Sequence, residues 1–322
     1  MISALSSRFF AFAAAATVAV AVAATSGCLG NGITNTSPPP ADTVCTKGAL
    51  KVGDSLSYIF DAANGCRIVD LFSAETTFAN SFSLALTSGT GYLITMGTTD
   101  SNPYLRPSLE LTATDTSKTL LAYDTYYWRQ QAVLTFVADS TVNLNVRAAT
   151  VDTLAGDLGQ YFIKMQQCRV PAARLVASTD TVTHSDSLTK ADCLMPLSDF
   201  NSNDSSRVQL YSMHIDAGQA RTLTYSASRP MVILIGPTYD TFASLPGSLG
   251  ADSINSSSGS LEFSPGTARD YTVVVGTYAF ATASVPYSLS ISAEHAPTMQ
   301  RMRLRRSLPK HETPMALRAR QR

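Results

Sequence analysis

Along most of the chain the apolar positions recur at every second residue. Phe82, Leu84 and Leu86 fall on one face of an extended segment, and Ser83, Ala85 and Thr87 fall on the other. Tyr211, Met213 and Ile215 alternate in the same way. Short runs of this kind, bounded by Gly, Pro, Asn and Asp, predict half-buried antiparallel strands. No sustained 3.6 period is present beyond the N-terminal apolar run. Many strands at close intervals predict an all-β fold of the sandwich or barrel type.

The pattern is written twice. Phe82–Gly89 aligns with Tyr211–Gly218, and Arg106-Pro107 with Arg229-Pro230. Leu134–Phe136 aligns with Leu261–Phe263, Val142–Val146 with Tyr271–Val275, and Gln160–Met165 with Pro286–Ile291. The offsets run from 123 to 129, which describes a duplicated unit rather than a solenoid of short repeats. A chain of 322 residues has room for two such domains. Each could bury roughly two thirds of its unfolded surface.

Composition narrows the class further. Charged residues make up 15% of the chain, against about 25% in ordinary globular domains. The surface is therefore rich in Ser and Thr, which are poor helix formers. A formal net charge of zero argues against the broad basic surface of a nucleic-acid binder. That zero is a cancellation. Residues 299–322 hold eight of the 24 Lys and Arg against one carboxylate, Glu312, leaving 16 cations and 23 carboxylates in the body. Residues 295–322 are expected to be a basic, solvated tail.

The N-terminus predicts export. Arg8 precedes an uncharged run, residues 9–24, too short for the roughly 20 residues of a membrane span. Small residues follow, so residues 1–27 are expected to be a signal peptide. Val22-Ala23-Ala24 offers an ordinary cleavage site; Thr25-Ser26-Gly27-Cys28 offers a lipobox-like one that would leave lipid on Cys28. Residues 28–44 have the Gly and Pro content of a flexible tether. A lipid-anchored protein of the cell envelope, in the outer membrane or otherwise secreted or periplasmic, is the expected address.

Cysteine parity agrees with the lipobox. Of Cys28, Cys45, Cys66, Cys168 and Cys193, one must stay unpaired in an exported protein. With Cys28 lipidated, the spacings favour Cys45–Cys66 and Cys168–Cys193, separated by 21 and 25 positions. Each cross-link would stabilise by roughly 3 kcal/mol in the chain-entropy account. No short Cys-x-x-Cys spacing favours a metal instead.

Each copy thus reads as Cys, a variable stretch, Cys, aromatic-x-apolar-x-apolar-x-x-Gly, two further strands, and a closing Tyr-x-apolar-x-apolar. This order resembles the bacterial pre-peptidase C-terminal domain, over residues 66–165 and 193–292. The resemblance implies two tandem jelly-roll-like antiparallel β-sandwiches, here residues 45–165 and 166–294. It implies an accessory or envelope role beside secreted peptidases. It also leaves calcium open, through Asp100, Asp115 and Asp124 in the first copy and Asp240 and Asp252 in the second. These are scattered and give no assigned ligand set, so no metal or other cofactor is predicted.

The remaining chemical candidates are few. Gly53-Asp54-Ser55-Leu56 resembles the nucleophile block of GDSL-type esterases, in which the serine needs a histidine to take its proton. No His here has Asp three residues before it, so a turn leading into a strand over Leu56–Phe60 is expected. The histidines His184, His214, His295 and His311 lack metal spacing, and His214 should point to solvent or a neighbouring strand. Asp199–Asp204 reads as a turn rich in Asx side chains, with calcium as the alternative. Tyr126, Tyr127, Trp128 and Arg129 form the aromatic cluster that either fills the core or contacts a ligand. The sequence therefore points to non-enzymatic binding, adhesion or structural support at the cell surface, with no catalytic residues assigned. The alternatives are an accessory module for a separate secreted hydrolase and, more remotely, an esterase. The membrane through its lipid, a cell-surface polymer or a secreted protein are the partners expected.

Overall fold

Period-2 alternation obliges each strand to bury one face, and the sheets follow from that. The computed structural model describes residues 45–61, 66–71, 76–98, 105–114, 120–125, 131–151, 158–171, 175, 182–196, 205–239, 251–263, 268–277 and 284–293. The expected signal peptide, tether and basic tail lie outside these residues, as do Cys28, the Tyr126–Arg129 cluster and Asp199–Asp204. Asp100, Asp115 and Asp240 also lie outside them, whereas Asp124 and Asp252 are described in backbone only.

The first half contains β1 (Thr46–Ala49), β2 (Ser55–Phe60), β3 (Arg67–Val69), β4 (Thr76–Leu86), β5 (Gly91–Thr98), β6 (Pro107–Ala113), β7 (Leu120–Thr125), β8 (Gln131–Val137), β9 (Val142–Thr150) and β10 (Gly159–Cys168). One sheet runs β1-β4-β9-β6-β7, with β3 also on β4; the other runs β2-β10-β5-β8. The second half contains β11 (Val182–Leu188), β12 (Cys193–Pro196), β13 (Ser205–Ile215), β14 (Arg221–Pro237), β15 (Ala251–Phe263), β16 (Arg269–Thr277) and β17 (Val285–Ala293). These form one sheet in the order β11-β17-β14-β16-β13-β12, with β15 on β14. Pairing is antiparallel except for β1 with β4 and the bridge Leu175–Met213. No helix occurs among the described residues. The fold is all-β, two antiparallel sandwiches in tandem.

The duplication holds at the level of register. Phe82 faces Val146 across β4 and β9, and Tyr211 faces Val273 across β13 and β16. Cys66 precedes β3 beside β4 as Cys193 opens β12 beside β13. Two alignments made from sequence need correction. Val273, not Val275, is the counterpart of Val146; the shift is two residues, which keeps the face unchanged. Pro107 faces Thr150 as Met231 faces Thr277, so Pro107 matches Met231 and not Pro230. That one-residue error would have turned the strand over.

The halves differ in continuity. In the first, β5 and β6 are separate strands in different sheets. In the second, β14 does both jobs: its start pairs with β17 and its end with β16. Strand β15 similarly combines the pairings of β8 and β7. One long strand pair crosses between the layers, with a register shift after Ser226. This is why two facing layers register as a single sheet.

Each half has its own core. The first is filled by Phe78, Phe82, Leu84, Ile94, Leu111, Phe136, Tyr161 and Ile163, and the second by Tyr211, Met213, Leu223, Ile233, Tyr271, Val273 and Leu289. A third cluster joins them: Leu93, Val133 and Val137 pack with Met195, Val208, Leu210 and Val274. Hydrogen bonds reinforce this seam. Val137 N–H donates to Thr272 Oγ1 at 3.1 Å, which satisfies an edge strand, and Tyr239 O–H donates to Asp139 at 2.7 Å. The Tyr239 ring lies 5.0 Å from that of Phe136, and its φ of +75° is a conformation rarely adopted by a residue with a Cβ. At Gly91 an added Cβ would meet Cys168 O at 2.9 Å and Leu210 at 3.0 Å. The described strands accordingly belong to one compact unit, Pro40–Arg322.

A seam of this kind is expected to make the halves unfold together. A buried charge at Val274 should uncouple them, since an unpaired charge costs several kcal/mol in an apolar layer. Thermal unfolding of the intact protein is expected to show one transition. Val274→Asp should show two, by calorimetry.

Candidate functional site

Exposed sheet faces show where a partner can sit. On β17 the inward residues are Val285, Tyr287, Leu289 and Ile291, so Ser288, Ser290 and Ser292 point out. Pairing places Thr183, Ser290, Thr224 and Ser260 in one row across β11, β17, β14 and β15. Ser185, Ser288, Ser226 and Ser258 form the next, and Ser292, Thr222 and Glu262 a third. All eleven side chains are exposed or half-exposed, and ten end in a hydroxyl. Neighbouring hydroxyls bond to one another: Thr183 to Ser290 at 2.7 Å and Ser185 to Ser288 at 2.9 Å.

The second row runs into a shallow open cleft of about 500 Å³, lined by Ser185, Asp186, Ser187, Ser226, Pro286, Tyr287 and Ser288. Behind it lies a polar network that the sequence reading missed. Arg169 Nη1 donates to Asp186 at 3.2 Å, and its Nε donates to the buried Asp192 at 2.9 Å. Asp192 also accepts from Thr189 N–H at 2.6 Å and from Gln209 Nε2 at 3.1 Å. Tyr287 O–H donates to Gln209 Oε1, and Tyr211 O–H lies 2.6 Å from Tyr287 O–H. Burial pushes the Tyr211 phenol up to about 12. Burial also works against the Arg169 charge, but Asp192 and Asp186 outweigh it and leave its pKa above the ordinary value.

Cysteine geometry sets this network. Cys168 and Cys193 stand with Cα atoms 5.2 Å apart, and their chain neighbours Arg169 and Asp192 form the ion pair. Cys45 and Cys66 are likewise within cross-linking distance, with Cα atoms 5.6 Å apart. Among the described residues of the first copy the inner end of the network is present: Asn80 Nδ2 donates to Tyr161 O–H at 2.5 Å, where Gln209 and Tyr287 stand in the second.

On the opposite face of the first half, Glu110 accepts from Leu71 N–H at 2.9 Å and from Arg147 Nη1 at 3.1 Å. Burial, and then the neighbouring Asp70 carboxyl, push the Glu110 pKa up to about 7. The equivalent cross-strand pair in the second half is Leu234 and Val274, which belong to the seam.

The catalytic candidates are dispersed. Gly53 has a φ of +91° within a turn closed by Lys51 N–H on Asp54 at 2.8 Å, and Ser55 then starts β2 opposite Lys164. His214 is exposed and lies 2.8 Å from Asp270 on the adjacent strand. His184 faces inward, with Nε2 buried. Among the described residues no three His, Cys, Asp or Glu side chains converge as a metal site would require. The arrangement can exchange hydrogen bonds with a ligand. It does not place a base on any of the face's hydroxyls.

No family model matches the chain, and no curated protein matches it in sequence. Solved structures do match. The N-terminal CBM22-1-CBM22-2 tandem domain of Xyn10C from Paenibacillus barcinonensis shares 8% identity, over 77% of this chain and 99% of that one, at a TM-score of 0.24. The CUB1-EGF-CUB2 region of human MASP-1/3 shares 8% over 74% and 99%, at 0.21. The M60 catalytic domain with two CBM51 domains of Clostridium perfringens ZmpB shares 8% over 76% of this chain, at 0.21; this chain spans 38% of that one. At these scores the likenesses carry no argument about what this chain does.

Two outcomes follow from the polar clusters. Asp192→Ala should cost about 1–3 kcal/mol in denaturant unfolding, because Gln209 and Thr189 N–H lose a buried acceptor while Arg169 keeps Asp186 and water. A pKa raised on folding adds stability below the unfolded value of 4.5 and loses it as pH rises through about 7. Unfolding midpoints should therefore fall between those pH values, and Glu110→Gln should flatten that slope.

Proposed function

We propose that this chain is an exported, non-enzymatic binding protein of the cell envelope. It comprises two sandwiches akin to pre-peptidase C-terminal domains, held to the membrane by lipid on Cys28. The observation supporting a binding role is the open array of ten hydroxyls beside the Asp186–Arg169 cleft. Such a surface recognises a partner by exchanging hydrogen bonds, and its serines pair with one another rather than with a base. The cysteine pairs suit an oxidising compartment. A surface polymer is the partner, with Tyr126, Tyr127, Trp128 and Arg129 as a second contact.

Co-sedimentation of the purified protein with an isolated bacterial cell-envelope fraction tests the reading; retention is expected, and its absence overturns it. Two variants test the remainder. Cys28→Ala should move the protein from the membrane to the soluble fraction. Ser55→Ala should leave unchanged any hydrolysis of p-nitrophenyl acetate by the purified protein; its loss would establish an esterase.

A further inference from the structure

The two copies use the same sheet face in opposite ways. On the first copy's β2-β10-β5-β8 sheet, the outward residues Leu93 and Val133 are buried in the seam. Their counterparts by register in the second copy are Thr222 and Ser260, on the open face. Phe162 and Lys164 likewise correspond to Ser288 and Ser290. A third copy stacking as the second does would need apolar residues where the second presents hydroxyls. Such a partner would strand the hydroxyls unpaired, at about 1–3 kcal/mol each.

Charge narrows the ligand further. Of the eleven outward positions, only Glu262, at a corner, is ionisable. Asp186, at the cleft, is paired with Arg169 at 3.2 Å, a guanidinium it shares with the buried Asp192 at 2.9 Å. A polyanion finds no cation among the eleven positions, and a polycation finds only that corner and a carboxylate already held by Arg169. What remains is an uncharged partner able to donate and accept at closely spaced points. Adjacent strands repeat the hydroxyls about every 4.8 Å, so each four-strand row covers about 14 Å of ligand. We propose that this face and its cleft bind an uncharged, polyhydroxylated polymer, a neutral polysaccharide lying across β11, β17, β14 and β15. This rests on the binding role above and assigns its ligand class and surface.

The test is co-sedimentation of the full chain with amorphous cellulose, insoluble β-1,3-glucan and starch granules as neutral probes. Polygalacturonate beads and chitosan serve as charged ones. The expected result is retention on at least one neutral polymer that persists in high salt. Ser226→Lys with Ser288→Lys should weaken it about tenfold, a loss of about 1.4 kcal/mol. Ser57→Lys, which adds one lysine at an exposed position of the first copy, should not, whereas Ser226→Lys alone should weaken it in part. Circular dichroism melting shows whether each variant remains folded. Retention on charged polymers alone, or equal retention of the double variant, overturns this assignment while leaving the binding role intact. Retention on no polymer, with the envelope fraction still bound, also overturns it. Failure on the envelope fraction as well removes both.

Discussion

Burial of Leu93 and Val133 against Leu210 and Val274 is the contact on which the arrangement of this protein depends. An antiparallel sheet can leave one face in water, and each sandwich could do so on both sides. Here one outer face of each copy is apolar and is spent on the other. The result is directional: the second copy's seam-facing sheet carries Leu234 and Val274, and the first copy's equivalent sheet carries Glu110 and Arg147. The same cross-strand pair is thus an apolar contact in one copy and an ion pair in the other. The two outer ends differ as a result, one covering a buried carboxyl cluster and the other presenting hydroxyls.

Inside each sandwich a polar pair survives in matching positions, Asn80 with Tyr161 and Gln209 with Tyr287. These pairs matter because a buried hydroxyl left unpaired costs more than the bond itself contributes. In the second copy the pair is extended through Asp192 to Arg169, and the residues beside the cystine carry that extension. The cross-link therefore fixes a polar framework behind the cleft as well as closing a loop. Rigid backing of this kind reduces the ordering cost of binding at an exposed face.

The hydroxyl face was legible in part. The alternations Thr222-Leu-Thr224-Tyr-Ser226 and Ser288-Leu-Ser290-Ile-Ser292 mark strands with a hydroxyl-bearing outer side. Their adjacency was not legible, because β14 and β17 are far apart in the chain and only pairing sets them side by side. Arg169 and Asp192 stand next to Cys168 and Cys193, so the predicted cystine could have suggested the ion pair. Glu110 gave no signal: an acidic residue on an alternating strand reads as solvent-facing until another segment covers it.

Alternation and cysteine spacing alone determined an all-β chain written twice, with Phe82, Leu84, Tyr211 and Met213 as core residues and cysteines placed to pair as Cys45–Cys66 and Cys168–Cys193. These follow from short-range geometry, since a period of two dictates which side of a strand is apolar. Only the tertiary structure decided which outer faces meet, that β14 carries one strand through both layers, and that Glu110 is buried while Ser288 is open. The reason is physical: a sequence specifies the two sides of a strand, but whether an outer side meets water or another sheet depends on contacts between residues distant in the chain.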